Sequence, residues 1–141
     1  MITVNYFRQC TNNQMTQTIP DHSGNTCLFS AEEGFNLGNL FKNLYTPYGQ
    51  MTNFALQPCS PRQACLMQVQ ILEFAAHELN LYLDTHPDDE KMLALFNEYN
   101  ACALKARKEF EVKFGPLAVS DVNADCTSWI WIQGPWPWER Q

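Results

Sequence analysis

Two stretches of the chain carry side chains that could, by type and spacing, hold a metal ion. Asp84, His86, Asp88 and Asp89 offer carboxylate and imidazole donors within six residues, a set that a hard divalent cation could use. Glu73, His77, Asn80 and Asp84 follow one another at intervals of four, three and four, which places them on one helix face. Ferritin-like carboxylate centres draw Glu-x-x-His pairs from two helices of a four-helix bundle. The spacing here is Glu73-x-x-x-His77, with Glu78 directly after it. A chain of this kind would be a subunit of a metal-dependent oxidoreductase built on a dimeric helical bundle. Both groups have plainer readings, which we favour. The first is a helix cap with acids where the helix dipole wants them, and the second is a polar seam between apolar stripes. Cys102 sits among Ala101, Ala103 and Leu104, without the neighbouring base that a nucleophilic thiol needs. His22 stands in a polar stretch with no partner. No constellation supports catalysis, so the chain reads as non-enzymatic, with no cofactor.

The bulk composition narrows the alternatives. The chain has 141 residues, enough for one domain with appendages, and 45% of them are apolar. Its net charge is −6, and no basic stripe suggests nucleic acid or an anionic membrane as a partner. Apolar runs are too short to span a bilayer. Only 17% of residues are charged, a sparse coat that suggests surface covered by other proteins. The N-terminus shows no secretory signal. The six cysteines, Cys10, Cys27, Cys59, Cys65, Cys102 and Cys126, form no CxxC pair. Reduced thiols are therefore expected, and a zinc site is not.

The candidate sites must be positioned by helices. Residues 1–26 are polar and without periodicity, and they read as a flexible arm. In 27–59, Ser30 and Glu33 have capping-box spacing. Leu37, Leu40, Phe41, Leu44 and Tyr45 then recur as one helix face, weakened by Gly34 and Gly38. In 60–141, Ser60 caps, Pro61 opens and Gln63 completes a capping box. That helix is expected over 61–83. It carries one stripe of Leu66, Val69, Leu72, Ala76, Leu79 and Leu83, and a second of Met67, Ile71, Phe74 and Leu81. A helix apolar on two sides must be covered twice. The next helix is expected over 87–114, capped by Thr85 or His86 and opened by Pro87. Its buried stripe is Met92, Leu95, Phe96, Tyr99, Ala103, Ala106 and Phe110, and Gly115 before Pro116 stops it. The short turn predicts antiparallel packing. The fold class is therefore all-α, an antiparallel two-helix hairpin with a short N-terminal helix and an extended Trp/Pro-rich tail. The single hairpin argues against an adaptor of tetratricopeptide type, whose repeats need neighbours.

The tail holds all four tryptophans of the chain, Trp129, Trp131, Trp136 and Trp138. Pro135 and Pro137 favour an extended chain there. With Phe41 and Tyr45 these rings are the candidate partner-binding residues, because tryptophan is a frequent interface anchor.

Leu79-Asn80-Leu81-Tyr82-Leu83-Asp84-Thr85-His86-Pro87-Asp88-Asp89 resembles the core motif of the CotJB family of spore coat proteins. The likeness runs on through Phe96-Asn97-Glu98-Tyr99 and Lys113-Phe114-Gly115-Pro116-Leu117, and ends at Gly134-Pro135-Trp136-Pro137-Trp138. It covers roughly residues 61–141. Phe29-Ser30-Ala31-Glu32-Glu33, Gly38-Asn39-Leu40-Phe41 and Leu44-Tyr45-Thr46-Pro47-Tyr48 resemble the companion coat peptide CotJA, although such peptides are usually richer in proline before that motif than the polar arm is. The resemblance implies a structural component of the inner spore coat, made in the mother-cell cytoplasm, that helps assemble other coat proteins. It also implies a partner, the manganese-catalase-like coat protein CotJC, and it carries over no catalytic residues. A second copy of the chain is the other candidate partner.

Overall fold

The computed structural model describes residues 27–47, 49, 56–122 and 127–132. The arm over 1–26 and the Gly134–Trp138 end lie outside these. Among the described residues three helices follow in order: α1 (Ala31–Leu37), α2 (Pro61–Leu83) and α3 (Glu90–Phe114). Single 3-10 turns follow at Val119–Asp121 and Ile130–Ile132.

Helices α2 and α3 form the hairpin. Arg62, in the first turn of α2, lies 5.5 Å from the Phe110 ring near the end of α3, and Tyr82 near the end of α2 reaches Asp89 at the start of α3. The two helices are thus antiparallel. Leu72, Leu79 and Tyr99 are buried, and Phe96 is half-buried against the same core. Ser60 caps α2, its side chain accepting from the Gln63 N–H. Gln63 returns the contact one residue earlier than a capping box would, accepting from the Cys59 N–H at 2.7 Å.

Ala64, Cys65, Met67, Val69, Ile71, Leu72, Ala75, Ala76 and Leu79 of α2 are all buried. At 100° per residue they wrap roughly 200° of the helix. The second cover is the N-terminal segment, which meets a row of α2 residues four apart. Phe35 packs edge-on against Phe74, the Leu40 N–H donates to Glu78 Oε2 at 3.2 Å, and Phe41 stacks on Tyr82 at 5.0 Å.

That segment departs from the helix expected through Tyr45. Helix α1 has its capping box, with Ser30 and Glu33 each accepting the other's backbone N–H. It stops at Gly38, which takes a left-handed φ of 76°. The chain then turns back, and Leu28 pairs with Phe41 in an isolated antiparallel bridge. Gly34 permits the return, because a Cβ there would lie 3.2 Å from the Asn39 carbonyl oxygen and from the Leu40 Cα. The two glycines are therefore a cap and a close approach. The three- and four-residue recurrence of Leu40 and Phe41 arises from a bridge, and Leu44 is exposed. The second stripe also fails at Leu81, which is half exposed.

Cys65 is disulfide-bonded, whereas Cys27, Cys59 and Cys102 are thiols. The expectation of reduced thiols is corrected at Cys65.

Candidate functional site

The loop between α2 and α3 is built from the residues considered above as metal donors. Its centre is Tyr82, whose ring lies between Phe41 at 5.0 Å and His86 at 4.2 Å. Its hydroxyl donates to Asp89 Oδ2 at 3.1 Å. Asp89 caps α3, accepting from the Lys91 and Met92 N–H groups at 3.1 Å. This corrects the capping role expected of Thr85 or His86. The Thr85 hydroxyl instead donates back to the Tyr82 carbonyl at 3.0 Å, closing α2, and Pro87 lies in the connecting turn before α3 begins at Glu90. Tyr82, Thr85, His86 and Asp89 line an open hollow of about 720 Å³.

The Met92 N–H, with smaller help from Tyr82 and the Lys91 N–H, holds the Asp89 carboxyl below its ordinary value of 3.8. A group whose folded pKa is depressed adds stability above its unfolded pKa, and that contribution disappears as pH falls through the folded value. Asp89→Asn keeps a good capping side chain but removes the titration. We expect Asp89→Asn to unfold near the wild-type denaturant midpoint at neutral pH and to lose less of that midpoint below about pH 4. Chemical denaturation at several pH values measures this, and an unchanged acid dependence would contradict the assignment.

A second hub ties down the chain after α3. Arg107 pairs with Asp121 at 2.8 Å, Glu111 at 3.2 Å and Glu73 at 3.4 Å. It thereby joins both long helices to the turn at Val119–Asp121. The Arg107 guanidinium holds the Asp121 carboxyl below the usual carboxylate range. Along the sequence Arg107 is one of several cations near the end of α3, where the helix dipole favours them. Three carboxylates at separations of 34, 4 and 14 residues give no local signal beyond the pair within one helix.

The seam residues Glu73, His77 and Asn80 share an open groove of about 260 Å³ with Phe96 and Asn100. Asp84 does not line it, and Glu73 is engaged by Arg107. Among the described residues no group of three or more His, Cys, Asp or Glu side chains could hold a metal ion. Burial pushes the half-buried Cys102 thiol up, away from the reactive thiolate.

The candidate partner-binding rings fall in different places. Trp129 is 52% exposed and the adjoining Ile132 is 60% exposed, while Trp131 is half-buried. Tyr45 is half-buried and meets Phe29 edge-on at 5.7 Å. Phe41 is only 7% exposed. It is a core residue, removed from the interface set because its ring is covered by Tyr82. Trp136 and Trp138 lie outside the described residues. Among the described residues, no helix is long and apolar enough to cross a membrane.

A family model described as CotJB protein matches residues 63–139, more than half of the chain and all of the helical hairpin but its first two residues. No curated protein and no solved structure matches.

Proposed function

Because the chain belongs to the CotJB family of spore coat proteins, we propose that it is a structural coat component that binds other coat proteins through its C-terminal aromatic tail. The observation that carries this reading is the exposure of Trp129 and Ile132, which follow in sequence the turn that Arg107 anchors at Asp121. A tryptophan buries 150–250 Å² when covered, and at about 25 cal/mol per Å² an exposed ring forgoes several kcal/mol. A partner that covers the rings recovers that term. Pro135 and Pro137 each have φ fixed by the ring, so these two residues have less backbone entropy to lose on docking. The partner proposed is a CotJC-type manganese-catalase-like protein. In the same reading 27–59, the CotJA-like segment, is a tethered companion that covers α2, and 60–141 is the binding unit.

The test is copurification from coat-forming cells, with the captured protein identified. Trp129→Ala alone, and Trp136→Ala with Trp138→Ala, are expected to abolish capture of the catalase-like protein while helical circular dichroism is retained. Variants that fold and still capture it would move the interface away from the tail. Unfolding of the double variant would make those two rings part of the core.

A further inference from the structure

Helix α3 carries a second apolar row on the side away from α2. Leu93, Ala101, Leu104 and Val112 lie on it with Asn97 and Lys108, and all six are exposed. Leu104 is 61% exposed and Val112 is 81% exposed. At 100° per residue the row spans about 100° of surface, roughly opposite the buried stripe of Leu95, Tyr99, Ala103, Ala106 and Phe110. The described elements leave it uncovered.

We propose that this face is a homodimer interface in which two copies of α3 pair antiparallel about a two-fold axis. The spacing of the row permits this pairing, and the charges beside it select it. Its steps are four, four, three, four and four residues, which read the same in both directions. An isologous contact needs a surface complementary to itself under a two-fold rotation. With the axis between residues 102 and 103, Leu93 meets the second copy's Val112, Asn97 meets its Lys108, and Ala101 meets its Leu104. Small Ala101 opposite larger Leu104 lets the helices approach closely at the axis.

Charge sets the direction. Asp84, Asp88, Asp89 and Glu90 outweigh Lys91 and make the turn end of the hairpin acidic, and Lys105, Arg107, Lys108 and Lys113 outweigh Glu109 and Glu111 and make the far half of α3 basic. Antiparallel pairing lays acidic ends against basic ends, whereas parallel pairing would set like against like. Glu98 and Lys105 both act electrostatically on Cys102, which puts them on one flank of the row. About the same axis Glu98 lies two residues, roughly 3 Å along the helix, out of register with the second copy's Lys105 on that flank, a gap their long side chains can span, as flanking charges do in coiled coils. A single helix pair is a small interface, so the dimer is expected to be weak and concentration-dependent.

Sedimentation of the full-length chain over a concentration series tests this independently of the tail. The mass should rise toward twice the 16.3 kDa of one chain, and Leu104→Glu should remain monomeric. Glu98→Lys and Lys105→Glu should each weaken dimerisation by about tenfold, and the two together should restore it. A monomer at every concentration overturns the proposal, as does a dimer indifferent to Leu104→Glu. If Leu104→Glu reduces helicity, the charge series decides: single and double variants that weaken alike overturn the pairing. Capture of coat partners by the same variants should be unchanged, which separates failure of this interface from failure of the tail reading.

Discussion

Phe110→Ala is expected to cost about 3–5 kcal/mol of folding stability, the range for removing a buried aromatic ring. Phe110 is 1% exposed and closes the open end of the hairpin. Its ring packs against Phe114 with centroids 5.2 Å apart and lies 5.5 Å from the Arg62 guanidinium. Truncation removes the apolar surface that holds the end of α3 to the start of α2, and it leaves a cavity that the rigid helix backbones cannot collapse. Domains of this size are stable by about 5–15 kcal/mol, so the variant should sit near the edge of folding. Phe110→Leu retains most of the volume and should cost less than half as much. Urea unfolding followed by circular dichroism reads both. A loss below about 1 kcal/mol for Phe110→Ala would mean that the open end is not packed as described.

Leu79→Ala should cost about 2–5 kcal/mol. Leu79 is fully buried, and it lies between Glu78 and Tyr82, through which α2 meets Leu40 and Phe41 of the N-terminal segment. The comparison that gives the prediction its force is Leu81, two residues along and 50% exposed. The linear pattern ranks these two leucines alike as stripe residues. The fold separates them, and Leu81→Ala should change stability by less than about 1 kcal/mol. Equal losses for the two would show that the buried face of α2 has been misassigned. Both variants can be measured dilute, where the weak dimer contributes nothing.

The extent of α2 was legible because its signals are local and agree with one another. Ser60 and Pro61 mark the start, and the chain leaves the helix after Leu83. The start of α3 was misjudged by a few residues because Thr85, His86 and Asp89 are all chemically able to cap. Only the folded turn shows that Thr85 has already bonded to the carbonyl of Tyr82 and that the α3 amides go to Asp89. Helix α1 was overextended for a different reason. A bridge between Leu28 and Phe41 buries residues at intervals that imitate a helix, and periodicity cannot tell the two apart.

By itself the sequence determined the helical class, the hairpin, the need for two covers on α2 and the family. These follow from caps, apolar period and a motif, all of which are read along the chain. The tertiary structure decided which groups act together: the stack of Phe41, Tyr82 and His86, the three carboxylates on Arg107, the burial that withdraws Phe41 from the surface, and the exposure that leaves Trp129 and the outer face of α3 uncovered. The physical reason is that burial and electrostatic pairing depend on distances through space between residues tens of positions apart. Chain closure sets those distances, and no local preference encodes them.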